Sequence, residues 1–207
     1  MLTRNIVFRR ISAYIADFLL VSIIIALFSE IYIINPYYDE YIELSDEYLG
    51  YLELISLEEE SISLEKLNKY TYDLSYYSVY ILIITVVVNI LYYVVFQYYN
   101  DGRTIGKAIY KLKVKNKNGK KLKIYQLFFR YCVLLGIITS VISIISLFML
   151  PMNSCINVLS FVQTIDDTLI LSCILMILFR KDNRGLHDLI SNTYVSDERK
   201  ILINKAH

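Results

Sequence analysis

Four long apolar runs, separated by polar stretches of opposite charge, set the pattern of this chain. The first, Ile11–Ile34, follows the basic pair Arg9 and Arg10 and has only Asp17, Glu30 and tyrosines as ionisable members. At a rise of about 1.5 Å per residue it reaches about 36 Å, enough to cross a hydrocarbon core of about 30 Å. The second, Tyr76–Tyr99, carries Tyr76, Tyr77 and Tyr80 at one end and Tyr92, Tyr93, Tyr98 and Tyr99 at the other. Such clusters are expected of aromatic belts at both membrane interfaces. The third, Tyr131–Leu150, begins after Arg130 and stops at Pro151. The fourth, Ile156–Phe179, contains Asp166 and Asp167. It is either one span with the aspartates near the bilayer midplane, or an outer loop at the aspartates followed by Thr168–Phe179. That remnant, about 18 Å long, is too short to cross unaided, so the single span is preferred on length. The cost of burying two adjacent charges argues the other way.

The segments between the runs have their own periods. Asn35-Pro36 breaks the first helix. Beyond it Tyr41, Leu44, Tyr48, Leu52 and Ile55 recur at helical spacing, which predicts an amphipathic helix lying on the outer surface, covering the bundle or meeting a partner. Further on, Leu112 and Val114 alternate with Lys111, Lys113 and Lys115, Asn118-Gly119 supplies a two-residue turn, and Leu122 with Ile124 continues the alternation. This predicts a small lysine-covered β-hairpin.

Charge orients these elements. The 207-residue chain is 56% hydrophobic with a net charge of +1, too apolar for an ordinary soluble domain. Residues 35–73 hold eleven acids and two lysines, whereas residues 100–130 hold ten basic residues and one acid. Positive loops stay in the cytoplasm. The expectation is an all-α membrane protein: one membrane domain forming a four-span helical bundle, both termini cytoplasmic, with a small lysine-rich cytoplasmic β-hairpin. The spans fall at about 11–34, 76–99, 131–150 and 156–179. An acidic extracytoplasmic insert covers 35–75, a basic loop 100–130 and a cytoplasmic tail 180–207. The start of the chain reads as an uncleaved signal-anchor helix. Cys132, Cys155 and Cys173 form no CxxC pair and read as small apolar fillers.

Candidate chemistry is sparse. Asp17 lies seven residues past Arg10, close to two helical turns, so both share one face, with the small Ala13 between them. Gly102, Gly106 and Lys107 suggest a phosphate loop, but only three residues separate the glycines and Ala108 follows the lysine. No HExxH, no Ser–His–Asp spacing and no cofactor loop is evident, so no enzyme, cofactor or metal site is expected.

Three separated stretches, FRRISAYIADFLL, DGRTIGKAIYKLKV with GKKLKIYQLFFR, and RGLHDLISNTYV, together resemble the RDD family of bacterial membrane proteins, named for one arginine and two aspartates. The resemblance implies the arginine at Arg10, the first aspartate at Asp17 and the second at Asp188. It also marks Gly102, Thr104, Gly106, Lys107, Arg130 and His187 as family positions, and the bacterial plasma membrane as location. It implies transport of an undefined solute, with cation–proton exchange as one form. The acidic insert and the Asp166-Asp167 pair lie outside it.

Two functions follow. A proton-coupled carrier needs a carboxylate in a low-dielectric site, which makes Asp17, Asp166 and Asp167 the coupling candidates, with Arg10 able to hold Asp17 ionised. Alternatively, Arg10, Asp17, Arg130, His187 and Asp188 form a closed polar network in a non-transporting accessory or assembly protein. The expected partners are the bilayer, anionic lipid headgroups at the basic loop, and a second copy or another membrane protein, but not nucleic acid.

Overall fold

The computed structural model describes residues 2–57 and 62–199; residues 58–61 of the acidic insert and 200–207 of the tail lie outside the described residues. In chain order the elements are α1 (Leu2–Ser29), α2 (Tyr38–Ser56), α3 (Leu64–Tyr77), α4 (Val79–Tyr99), α5 (Ile105–Ile109), β1 (Leu112–Asn116), α6 (Ile124–Leu134), α7 (Ile137–Met149), α8 (Met152–Phe179), α9 (Leu186–Ile190) and β2 (Thr193–Asp197). Among the described residues, α4, α8 and the Ile6–Ser29 stretch of α1 are each long and apolar enough to cross a membrane.

Three boundaries differ from expectation. The first helix ends at Ser29, not Ile34. The fully buried Asn35 turns back and donates its Nδ2 to the Ser29 carbonyl at 3.1 Å, answering a backbone acceptor at the helix end that has no partner within the helix. The third run is broken into α6 and α7 at Leu135-Gly136, where Gly136 adopts φ 59°. A left-handed glycine is a common helix stop. Four spans result only if this bent pair is counted as one. Finally, β1 pairs with the tail strand β2, antiparallel, with Val114 opposite Val195 and Asn116 opposite Thr193. The chain does turn at Asn118-Gly119 (Gly119 φ 72°). The returning lysines stay exposed, however, and lead directly into α6. Thr193-Tyr194-Val195 can close the buried Leu112–Val114 face, whereas Lys120, Lys121 and Lys123 would bring charge onto it.

The fourth run behaves as one helix: α8 continues unbroken through Asp166, half-buried, and Asp167, exposed.

The chain forms two compact units. One comprises residues 25–86 and 139–164. Its core gathers Val79, Leu147 and Cys155 with Tyr72, Tyr76, Tyr80 and Ile144 around them. There α2 packs on α3 through Tyr48 and Tyr51 against Tyr70, ring centroids 5.4 and 5.7 Å apart. The predicted amphipathic helix is therefore present, with Tyr51 rather than Leu52 as its most buried member. The other unit comprises residues 1–24, 87–138 and 165–207 and holds every buried charged group described below.

Candidate functional site

Two buried clusters are built on the start of α1. The first surrounds Asp17, which is 1% exposed. Within α4, Ile90–Phe96 is π-helical, a local rewinding often found at functional positions. This segment carries Tyr92, whose hydroxyl donates to Asp17 Oδ1 at 2.6 Å. The short helix α5 supplies the other donors. Its N-cap Thr104 donates to Oδ2 at 2.5 Å, and the Gly106 N–H donates to Oδ1 at 2.7 Å. A carboxylate at the start of a helix meets free N–H groups and the positive end of the backbone dipoles. Lys107 Nζ stands 3.7 Å from Oδ2 and donates to Thr104 Oγ1 and to the Tyr131 hydroxyl, each at 3.2 Å. The chain of bonds continues from Tyr131 to Gln97 Oε1 at 2.6 Å and from Gln97 Nε2 to the Gly102 carbonyl at 2.9 Å.

Close approach makes this possible. A Cβ on Gly106 would fall 2.3 Å from the Ala13 carbonyl oxygen and 2.9 Å from Asp17 Cγ. Glycine there, against the small Ala13, lets α5 meet α1 backbone to backbone. Gly102 (φ 80°) is held by its N–H to the Gln97 carbonyl at 2.8 Å, and a Cβ there would strike the Val114 carbonyl at 2.4 Å.

The second cluster surrounds Asp188 on α9, also fully buried. Arg10 Nη2 donates to Oδ2 at 2.7 Å, and the Gly185 N–H donates to the same oxygen at 3.2 Å. Arg130 Nη1 donates to Oδ1 and, at 3.0 Å, to Thr193 Oγ1. Arg10 also donates to the Asn183 carbonyl. Arg184 donates to the Thr193 and Asp188 carbonyls, each at 3.0 Å, and Arg9 pairs with Asp197 at 2.5 Å. Two guanidiniums thus bracket one carboxylate and tie α1, α6 and the tail together. Burial alone would raise the Asp188 carboxyl. Arg130, the His187 hydrogen bond and Arg10 outweigh it and hold the group well below the usual carboxylate range.

His187 is set by the same neighbours. Its Nε2 is 3.4 Å from Asp188 Oδ2 and its Nδ1 is 3.2 Å from Cys173 Sγ. These partners assign a neutral ring, Nε2–H facing the carboxylate and Nδ1 accepting from the thiol. Burial first, then Arg130 and Arg10, depress its pKa to about 4. Cys173 is therefore a polar partner as well as a filler. Among the described residues no three His, Cys, Asp or Glu side chains gather as a metal site would need.

The expected grouping is redrawn. Arg10 does not hold Asp17; it pairs with Asp188, and Lys107 is the cation beside Asp17. Two turns of helix separate Arg10 and Asp17 by about 10 Å along the axis, so each meets a different segment. The groups around Asp17 come from α4 and α5, and those around Asp188 from α1, α6 and the tail; Asp166 and Asp167 lie in the middle of α8. Tyr92 and Tyr93, expected at an interface, are buried. Tyr92, Gln97, Tyr131 and Arg184 also join the clusters. Each reads in sequence as an ordinary member of an apolar or basic run, and only the cluster reveals its use.

Apolar helices of crossing length, with paired ions buried beside them, define a membrane protein. The sequence matches the RDD family over residues 6–192, most of the chain, and the protein belongs to that family. No curated protein and no solved structure matches it.

Proposed function

We propose that the two clusters are structural clamps, and that the protein is a non-transporting, non-enzymatic membrane protein of the accessory or assembly type. One observation carries this reading. Both oxygens of Asp17 are already engaged, by two donors on Oδ1 and by Thr104 and Lys107 on Oδ2. An exchanging carboxylate must release its counter-ion and meet water or a cation. Here the counter-ion is a covalently attached ammonium, itself held by Thr104 and Tyr131. Displacing it would leave Lys107 buried and uncompensated, a costly state.

On this reading the clamps fasten the basic loop and the tail to α1 at the cytoplasmic face. The exposed Lys117, Lys120, Lys121 and Lys123 then face anionic headgroups of the bacterial plasma membrane. The acidic α2–α3 pair lies outside and offers a second copy or another membrane protein its contact face.

The test uses purified full-length protein in liposomes with an internal pH dye. Under an imposed proton gradient, sodium, potassium and lithium leave the gradient unchanged for wild type and for Asp17→Asn alike. The Asp17→Asn protein is recovered in lower yield and melts earlier. A gradient that collapses on cation addition in wild type, but not in Asp17→Asn, overturns the structural reading and restores Asp17 as an exchange site.

A further inference from the structure

Between the clusters, within the same unit, is a cavity of about 350 Å³. Arg10, Lys107 and Arg130 line it together with His187 and with mostly apolar side chains, among them Ile11 of α1 and Ile174 and Leu178 of α8. Those three apolar residues are also exposed on the outer flank of their helices. In a chain of this class that flank faces hydrocarbon, so the cavity is approached from the acyl region and not through bulk water.

Its charges do not balance. The three lining cations face two carboxylates, Asp17 and Asp188, while His187 is held neutral by its partners. The Arg184 guanidinium adds further positive charge behind Asp188, donating to the Thr193 and Asp188 carbonyls, while its backbone N–H donates to Asp182 Oδ1 at 3.3 Å. One unit of positive charge is therefore left over at the cavity wall. The net charge at the wall points to an anionic ligand.

We propose that this cavity holds the phosphodiester headgroup of one anionic glycerophospholipid, with its acyl chains lying along Ile11, Ile174 and Leu178. The volume suits the assignment. It is near the lower end of ligand pockets, about 300–1,000 Å³, and admits a headgroup but not a whole lipid. Guanidinium and ammonium groups are the usual phosphate partners, and basic pockets between helices on the cytoplasmic side are suited to such headgroups.

The experiment is native mass spectrometry of the full chain released from detergent, with phosphatidylglycerol, phosphatidylcholine or oleate added at equal concentration. Wild type retains one phosphatidylglycerol about fivefold over phosphatidylcholine, the ratio given by about 1 kcal/mol for one net charge. Ile174→Trp fills the cavity mouth from a half-exposed position and loses that retention with an unchanged melting temperature. Lys121→Gln, on the exposed lysine segment, retains it. Equal retention of both phospholipids overturns the proposal, as does retention of oleate in place of phosphatidylglycerol. So does retention that survives Ile174→Trp but falls in Lys121→Gln, which would place the lipid on the surface lysines. Should Ile174→Trp melt early, Leu178→Trp on the same rim replaces it, with the same outcomes required.

Discussion

His187 makes the protein acid-labile in a defined window. In the unfolded chain its imidazole takes up a proton below about pH 6.5. In the folded protein burial, Arg130 and Arg10 delay that uptake until about pH 4. Above pH 6.5 both states are neutral at this site and its contribution is intact. As pH falls towards 4 the unfolded state binds the extra proton, so stability falls through the same interval. A displacement from about 6.5 to about 4, at 1.36 kcal/mol per unit, corresponds to about 3 kcal/mol. For a chain of this size that is a fall in melting temperature on the order of 6–12 °C. Asp188 adds little to this slope above about pH 5, because its folded carboxyl stays ionised and the unfolded one takes up its proton only near its ordinary value of about 3.9; below about pH 5 it steepens the same fall with or without His187. Circular dichroism melting of detergent-solubilised protein at half-unit steps from pH 7.5 to 4 gives the slope. His187→Gln removes the titrating ring and keeps a side-chain amide beside Asp188, so its melting temperature stays flatter across the interval. Equal acid slopes for wild type and His187→Gln would refute the reasoning, since the lost stability would then come from other groups.

Other substitutions test the clamps directly. Gly106→Ala places a methyl 2.3 Å from the Ala13 carbonyl oxygen and should cost about 1–3 kcal/mol or more through forced separation of α5 from α1, read as a lower melting temperature. Asp188→Asn leaves Arg10 and Arg130 facing each other without a counter-charge and should cost about 3–5 kcal/mol. A stability like that of wild type would mean that the guanidiniums are solvated by another route. Orientation is checked with a membrane-impermeant thiol reagent. Cys132, Cys155 and Cys173 are all buried, so none of them reports sidedness. In a background lacking all three, Gly50→Cys, on an open face of α2 with nothing near its Cβ, should label only from outside. Lys121→Cys should label only from the cytoplasm. Labelling of both from one side would invert the assignment of the acidic and basic segments.

The sequence by itself determined the membrane class, the order of apolar runs and the identity of most charged residues in the clusters. Hydrophobic length, charge segregation and motif spacing are properties of the chain that survive in any fold. The helical face of α2, the close approach allowed by Ala13 and Gly106, and the turn at Asn118-Gly119 were legible for the same reason, being local. Partner choice was not. Arg10 and Asp17 share a helix face, yet they are too far apart along the axis to serve one another, and the segments that return to each are distant in sequence. Lys107 and Tyr92 reach Asp17 from 90 and 75 positions away, and Arg10 reaches Asp188 across 178. The strand closing Leu112 and Val114 came from the tail because the nearer candidate carried lysines. Tertiary structure decided these pairings: a buried charge takes the counter-charge that the packing delivers, whatever its distance in sequence.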